Sequence, residues 1–230
     1  MSDEKIIQIT NLTRIYVDGV EIRALDGVEL DIEKGEFLAI VGPSGSGKST
    51  LLNLIGILDT PTSGTILLKG IDVTKMSDKE RSRIRNQELG FIFQYHHLLP
   101  DFNALENVMM PLLINGMKTS KAREKAREML EEVGLGDRLY HRSNQLSGGQ
   151  NQRVAVARAL VNNPSIVIGD EPTGNLDSKS SDNIYELLRK LNREHNQTFI
   201  LVTHDERMAA KTDRIIRLVD GKVVEDSRKV

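Results

Sequence analysis

A glycine-rich segment at residues 42–49 has the residue types and the spacing that bind phosphate groups. It fits the pattern G-x-x-x-x-G-K-[ST], in which glycines let backbone N–H groups turn inward around phosphate oxygens. In that pattern Lys48 reaches the β and γ phosphates, and Ser49 can hold Mg²⁺. The alternative is a flexible Gly/Ser turn. The segment consists of Gly42, Pro43, Ser44, Gly45, Ser46, Gly47, Lys48 and Ser49.

The residues on either side of this segment favour phosphate binding over a simple turn. The apolar run Phe37–Val41 predicts a buried strand before it, and the leucines and isoleucines of residues 49–57 predict a buried helix after it. The motif requires strand, loop and helix in this order, because the helix N-terminus adds positive potential. We therefore expect a nucleotide-binding loop.

Two adjacent acids, Asp170 and Glu171, follow the apolar residues 166–168. In phosphate-loop proteins an acid at this place organises Mg²⁺, usually through its water shell, and a second acid can polarise the attacking water. We expect Asp170 to organise the metal ion and Glu171 to polarise the attacking water. The alternative is a strand that ends in a solvated acidic turn before Pro172.

The elements that must position these groups alternate along the chain. Residues 77–164 predict mainly helices apart from the short run Leu89–Phe93, and a long helix is expected from about residue 178 to residue 194. Strands that alternate with helices predict a parallel, doubly wound sheet, into which the helical middle region is inserted. The predicted strands are residues 6–9, 27–32, 37–41, 165–168, 198–202 and 215–219.

One stripe in the helical region has the spacing of a buried helix face. It consists of Ala122, Ala126, Met129, Leu130 and Val133. We interpret the stripe as core packing, and not as a membrane-binding surface.

Composition limits the classes of partner. The 31 basic and 33 acidic residues are interspersed, which gives a net charge of -2 and no basic footprint for nucleic acid. The absence of cysteine excludes disulfides and thiolate metal sites. No apolar window approaches the roughly 20 residues that cross a bilayer, so a membrane role needs a separate partner. The first five residues lack signal-peptide features, and we expect the chain to remain inside the cell.

Residues 146–150, followed by a helical pattern, resemble the signature motif of the ABC ATPases. The order and spacing of phosphate loop, signature, acid pair and the later His204 are also similar to that family, so the resemblance covers essentially the whole chain. The signature residues are Leu146, Ser147, Gly148, Gly149 and Gln150.

The resemblance implies an α/β fold of the P-loop NTPase (RecA-like) type. This fold has a mixed, mainly parallel sheet, an antiparallel β subdomain and an inserted α-helical subdomain. Residues 1–230 would form one ABC ATPase domain, with the nucleotide-binding core and β subdomain at 1–94 and 165–230 and the helical signature subdomain at about 95–164. ATP and Mg²⁺ are the implied cofactors.

The signature predicts a second anion site, because a serine and two glycines stand at a helix start. In the family this site closes over the γ-phosphate that is held by the phosphate loop of a second subunit. The resemblance therefore implies a head-to-tail dimer of ATPase subunits, with a homodimer expected.

Further positions carry over by resemblance. Tyr16 matches an aromatic residue that stacks on adenine, although a half-buried strand tyrosine is the alternative. Thr50 extends the phosphate loop. Gln94 matches a glutamine that touches Mg²⁺ and the attacking water, and the alternative is an ordinary loop residue. His204 matches a histidine that contacts the γ-phosphate. The residues that match a loop at the dimer interface are Asn175, Leu176 and Asp177, of which the last could also be only a helix N-cap.

Two positions depart from the usual pattern: Gly169 replaces a larger apolar residue, and Asn151 follows the signature. Neither departure removes a catalytic group. Because Lys48, Glu171 and His204 are present, we expect a competent hydrolase.

Residues 93–108 and 171–177 are similar to the lipoprotein-release and macrolide-export branch of the family. This resemblance implies an integral membrane permease as partner, a peripheral location on the cytoplasmic face of the inner membrane, and no binding of nucleic acid. A soluble or regulatory ABC ATPase that drives a non-transport complex is the alternative. The chromosome-type version is disfavoured, since the residues between Lys48 and Ser147 leave no room for a very long coiled coil.

Overall fold

The computed structural model describes residues 4–228. Residues 1–3, on which the expectation of no signal peptide partly rests, lie outside the described residues. The chain divides into two compact units. The first comprises the described residues up to Ser82 together with those from Asn196, and the second comprises Arg83–His195.

The first unit contains two sheets. Its elements are β1 (Lys5–Asp18), β2 (Val20–Glu33), β3 (Phe37–Val41), α1 (Lys48–Ile55), β4 (Ser63–Leu68), β5 (Ile71–Asp72), β8 (Thr198–Val202), α7 (Glu206–Ala209), β9 (Arg214–Val219) and β10 (Lys222–Arg228). In sheet order, β2-β1-β4-β5 form an antiparallel sheet, and β10-β9-β3-β8 form a second group in which β3 is parallel to both β8 and β9. Helix α2 (Asp78–Glu88) includes the point in the sequence at which the second unit begins.

Strands β3 and β8 form the centre of the parallel group because they are apolar along their whole length. All five residues of each strand are buried, which is the pattern of a strand that is covered on both faces. Phe37 and Phe199 stack with their ring centroids 5.5 Å apart. This core fixes the strand ends from which the phosphate loop and His204 emerge.

An ion cluster at Arg214 joins β9 to β10 and to the end of β2. The guanidinium donates to both carboxylate oxygens of Asp226 at 2.6 Å and to the carbonyl oxygen of Asp31 at 2.8 Å. It also lies 3.1 Å from a carboxylate oxygen of Glu36. Burial opposes the charge, but the two carboxylates raise the pKa of Arg214 above its usual range.

The second unit contains two parallel strands and the main helices. The elements are β6 (Leu89–Phe93), α3 (Ala104–Ile114), α4 (Thr119–Glu132), a 3-10 turn (Ser143–Gln145), α5 (Gly148–Leu160), β7 (Ile166–Asp170) and α6 (Ser178–His195). Strand β6 pairs with β7 so that Phe93 lies opposite Asp170. Gly90 permits helix α5 to pack against β6, since an added Cβ would lie 2.3 Å from the carbonyl oxygen of Ala159.

The predicted helical stripe lies in the core, as expected. Ala122, Ala126, Leu130 and Val133 have no exposed surface, and Met129 is half-buried.

The strands of the amino-terminal region differ from the prediction, because β1 and β2 have 14 residues each and the sequence pattern indicated only parts of them. The pairing of β1 with both neighbours stabilises polar positions that local alternation does not mark as strand.

Candidate active site

The phosphate loop connects β3 to α1 and is built on glycines that no other residue could replace without displacement. Gly47 has φ +99°, and an added Cβ would lie 2.3 Å from the carbonyl oxygen of Ala24. A Cβ added at Gly42 would lie 2.1 Å from the carbonyl oxygen of Leu218. The loop backbone therefore approaches neighbouring backbone at van der Waals contact, and only glycine fits at these two places.

The N-terminus of α1 is open to an anion. Its N-cap is Gly47, no described side chain caps it, and its first turn has no acidic residue. The first-turn N–H groups have no partner inside the helix, so they and the helix dipole favour a negative ligand.

The side chains of the loop surround this helix start. The Lys48 ammonium donates to the carbonyl oxygens of Gly42 and Pro43, both at 2.8 Å, which holds the positive charge against the loop. Ser49 is exposed and Thr50 is half-buried. The hydroxyl of Ser46 is buried and has no hydrogen-bond partner among residues 4–228. Pro43, Ser44 and Gly45 are exposed.

His204 and the phosphate loop leave adjacent strands at the same end. Ile40 of β3 lies opposite Val202 of β8, and the N–H of Thr203 donates to the carbonyl oxygen of Ile40 at 3.3 Å. Because the two strands are parallel, the segments that follow them emerge side by side. His204 is exposed at this edge.

Tyr16 also belongs to the first unit. It lies on β1 with 37% of its surface exposed, and its hydroxyl donates to a carboxylate oxygen of Asp59 at 3.0 Å. The aromatic ring is therefore available on the surface while its polar end is fixed.

In the second unit, Gln94, Asp170 and Glu171 also lie where two paired parallel strands end. Phe93 and Asp170 are paired across β6 and β7, so Gln94 and Glu171 each follow a neighbouring strand end. Glu171 has φ +47°, the left-handed region that a residue with a Cβ rarely adopts, at a cost of about 1–3 kcal/mol. Both acids are half-buried. Strain that persists at a carboxylate after a buried strand favours a functional role for Glu171.

Gln94 is held by the loop that follows the two acids. Its amide nitrogen donates to Oδ1 of Asn175 at 3.0 Å, and the Asn175 amide donates to the carbonyl oxygen of Gln94 at 3.2 Å. A Cβ at Gly174 would lie 2.9 Å from Nε2 of Gln94. Glycine at this position therefore permits the reciprocal pair.

The signature residues form the start of α5. Ser147 is the N-cap: its hydroxyl accepts from the N–H of Gln150 at 3.3 Å, and the Gln150 side chain accepts from the N–H of Ser147 at 2.9 Å. This capping box fixes the helix start. Leu146 is half-buried, whereas Ser147 and Gly148 are exposed. Serine and glycine thus present a helix N-terminus at the surface.

The loop of residues 175–177 lies beside this helix start. A Cβ at Gly148 would meet the Leu176 side chain at 3.4 Å. Asp177 accepts from the N–H and the hydroxyl of Ser180 at 2.9 and 2.6 Å, and these hydrogen bonds lower the pKa of its carboxyl group. The N-cap role of Asp177 is therefore present in the structure, and its interface role stays a prediction.

Comparison with known proteins identifies the family. A sequence model described as ABC transporter matches residues 25–174. The chain belongs to the ABC transporter family. The lipoprotein-releasing system ATP-binding protein LolD of Shewanella frigidimarina is 52% identical, with 96% of this chain and 92% of that protein covered. LolD of Geobacter metallireducens is 50% identical, with 96% and 99% covered.

Solved structures agree with this ABC transporter assignment. The ATP-binding cassette MJ0796, in a dimeric post-hydrolysis state bound to ADP and Pi, aligns with a TM-score of 0.88 and 45% identity over 96% of this chain and 98% of that one. Another dimeric structure of MJ0796 aligns with the same TM-score and 46% identity, again over 96% and 98%. The predicted fold class and family are confirmed, and the chain is an ATP-binding, ATP-hydrolysing ABC transporter subunit. Within the described part of the chain, no helix is long and apolar enough to cross a membrane.

Sequence reasoning missed two residues of this ABC transporter subunit that organise the second unit, both on α5. The fully buried Gln152 donates to the carbonyl oxygen of Pro172 at 2.6 Å, and its side-chain oxygen contacts the His96 ring. Arg158 donates to the carbonyl oxygens of His96 and His97 at 2.7 and 2.6 Å, and burial lowers its pKa. Arg158 stands within the apolar run of residues 154–160, a signal for a buried hydrogen-bonding role, whereas Gln152 lies in the polar stretch of residues 150–153, which gives no such signal.

Proposed function

We propose that this chain hydrolyses MgATP as the ATPase subunit of a lipoprotein-releasing system, working on the cytoplasmic face of the inner membrane. The open N-terminus of α1, with Gly47 in the left-handed region and Lys48 folded onto the loop, is the observation that carries ATP binding. The 52% identity to LolD over 96% of this chain supports the lipoprotein-release branch.

The phosphate loop, from Gly42 to Thr50, binds the β and γ phosphates through its backbone N–H groups, to which Pro43 does not contribute because proline has no N–H. The Lys48 ammonium exchanges a carbonyl oxygen of the loop for phosphate oxygens, a charge-assisted contact that is stronger than a neutral hydrogen bond. Tyr16 stacks on adenine with its exposed ring face.

The residues suited to Mg²⁺ offer only oxygen ligands. They are the hydroxyl of Ser49, the carboxylate of Asp170 acting through water, and the side-chain oxygen of Gln94, whose nitrogen is committed to Asn175. Hard oxygen donors of this kind are those that Mg²⁺ prefers. When bound, the ion neutralises charge on the phosphate oxygens.

Glu171 and His204 are the residues that we assign to the hydrolysis of ATP. Glu171 accepts a proton from water as the water oxygen bonds to the γ-phosphorus, and the bond from that phosphorus to the bridging oxygen breaks to give ADP and phosphate. His204 donates a hydrogen bond to the γ-phosphate, where negative charge is concentrated in the transition state.

The complete site requires a second copy of the chain. The surface-exposed Ser147 and Gly148 form an uncharged helix start, which is suited to the γ-phosphate of the partner's nucleotide. The loop of residues 175–177 lies at the same interface. The dimeric MJ0796 structures support the formation of a dimer.

A docking surface for the permease lies after Gln94. It consists of Tyr95, Leu99 and Phe102, with exposures of 70%, 38% and 37%. The buried side chain of Asn107 exchanges hydrogen bonds with the backbone of Leu99 and donates to the carbonyl oxygen of Phe102 at 3.1 Å. An anchored backbone with apolar side chains on the surface suits a protein partner.

Purification of the native complex tests this function. We expect an integral membrane permease with a large extracytoplasmic domain to co-purify with the chain and to stimulate its ATPase activity in liposomes. A stable complex with soluble proteins alone would contradict the transporter assignment and support the non-transport alternative.

A further inference from the structure

The side chains of Tyr16, Arg14 and Asp59 each contact the other two. The Tyr16 hydroxyl donates to Oδ2 of Asp59 at 3.0 Å, and the Arg14 guanidinium lies 4.5 Å from the Tyr16 ring centroid. Arg14 also donates to Oδ1 of Asp59 at 2.9 Å. The ring is therefore fixed at its polar end and covered on one face by a cation.

Asp59 is in turn fixed to the helix that begins at the phosphate loop. Its N–H lies 3.3 Å from the carbonyl oxygen of Asn53 on α1. Its own carbonyl oxygen accepts from Arg81 at 2.7 Å, and its carboxylate accepts from the N–H of Thr60 at 2.7 Å. A displacement of Asp59 would therefore disturb contacts with both α1 and α2.

The surroundings of Tyr16 do not hold the ring by packing. Its neighbour Val17 is 73% exposed, and Ile22, which pairs with Tyr16 across the hairpin, is 60% exposed. The side chains of Arg14 and Asp59 are only 23% and 26% exposed, so their contacts are partly shielded from water. Polar contacts, and not a core, thus determine the ring orientation.

We propose that Asp59 and Arg14 are positioning residues that orient Tyr16 for the purine base at a fixed distance from the phosphate loop. The inference rests on the proposed role of Tyr16 in base stacking. Asp59 sets the ring by accepting the hydroxyl hydrogen bond, and Arg14 covers one face so that the base stacks on the other. Affinity for the base is then coupled to the position of α1.

The test compares a ligand with a base to one without. Displacement of ribose-labelled fluorescent ADP from the full chain is measured with unlabelled ADP and with inorganic pyrophosphate. Tyr16→Phe, Asp59→Asn and Arg14→Met should each weaken ADP binding about 3- to 10-fold, which lies within the range of a single side-chain hydrogen bond or a partly shielded cation–π contact. Pyrophosphate affinity should stay within about 2-fold of wild type, since the phosphate loop is untouched.

A double-mutant cycle separates positioning from general stabilisation. In the Tyr16→Ala background, Asp59→Asn should change ADP affinity by less than about 2-fold, because the group it positions is absent. Arg23→Gln, which removes an exposed ion pair to Asp26 in the same sheet, is the matched control and should change neither affinity. Tyr16→Phe reports on the same hydrogen bond if Asp59→Asn does not fold.

The outcomes distinguish this inference from the proposed function. If Tyr16→Ala leaves the ratio of ADP to pyrophosphate affinity unchanged, base stacking by Tyr16 is wrong and the inference fails with it. If Tyr16→Ala lowers the ratio but Tyr16→Phe and Asp59→Asn do not, base stacking stands and the positioning role is wrong. Equal weakening of both ligands would show a structural role only, and would also overturn the inference.

Discussion

Substitution of Gly47 by alanine tests whether the loop geometry makes the nucleotide site. The left-handed φ of +99° costs a residue with a Cβ about 1–2 kcal/mol. The new Cβ would also lie 2.3 Å from the carbonyl oxygen of Ala24, so backbone must move, which costs about 1–3 kcal/mol more by the scale of overpacked sites. The total is about 2–5 kcal/mol, a large part of the stability of a single domain.

Gly70→Ala is the matched control for this substitution. Gly70 has φ +78°, and a Cβ there would meet no atom within 4 Å, so it carries the conformational cost without the clash. For a chain of this length each kcal/mol shifts the melting temperature by about 2–4 °C. Gly47→Ala should therefore melt about 2–12 °C below Gly70→Ala, the range that corresponds to the clash alone.

Thermal melts without nucleotide and phosphate-release rates with MgATP measure the two effects. We expect Gly70→Ala to retain ATPase activity and Gly47→Ala to lose it, because movement at residue 47 displaces the first N–H groups of α1. Equal melting temperatures together with normal phosphate release from Gly47→Ala would refute the argument that close approach at Gly47 forms the site.

Three further predictions concern catalysis, coupling and pH. Glu171→Gln keeps the side-chain shape but cannot accept a proton, so light scattering with MgATP should show accumulated dimers and phosphate release should fall at least about 100-fold. Leu99→Asp combined with Phe102→Ala should leave the basal ATPase rate within a few-fold of wild type and abolish stimulation by the reconstituted permease. Asp226→Asn should lower the melting temperature at pH 7 by about 2–8 °C, since Arg214 loses a charge-assisted partner. The hydrogen bonds from Arg214 lower the pKa of Asp226, so the stabilisation is present above the unfolded pKa of about 4 and is lost as pH falls through the folded value.

Each of these predictions has a contradicting result. Monomers of Glu171→Gln in MgATP would exclude either the dimer or the role of Glu171. If the permease still stimulates the ATPase activity of the Leu99→Asp, Phe102→Ala double variant, the docking surface lies elsewhere. If that variant loses its thermal unfolding transition, Leu99 and Phe102 belong to the core. The control for Asp226→Asn is Glu225→Gln, which removes an exposed ion pair to Arg217 and should shift the melt by less than about 4 °C. A melting difference between wild type and Asp226→Asn that persists unchanged at pH 3 would contradict the carboxylate argument.

Local patterns were enough to predict the elements that carry the chemistry. The buried run Phe37–Val41 and the glycine spacing after it indicate a strand, a loop and a helix without knowledge of the rest of the chain, and the structure has all three. The apolar residues before Asp170 likewise predicted β7. These signals are strong because continuous burial and backbone geometry restrict the residue types at each position.

Contacts between distant parts of the sequence could not be predicted in this way. Tyr16 and Asp59 are separated by 43 positions, and Gln94 and Asn175 by 81. A hydrogen-bonding side chain can choose among many partners, and its own sequence neighbours do not specify which one it meets. The left-handed backbone at Glu171 was also invisible, because surrounding structure imposes it against the local preference of the residue.

Complementation between two inactive variants tests the central claim, that ATP is hydrolysed at composite sites, most directly. Lys48→Ala disables the phosphate loop, and Ser147→Arg blocks the signature, so each homodimer should hydrolyse ATP only at background. In an equimolar mixture that exchanges subunits, half of the dimers are mixed and one of their two sites is intact, so phosphate release should recover to about a quarter of the wild-type rate. Background activity in the mixture, with mixed dimers demonstrated by differently tagged subunits, would contradict the composite site.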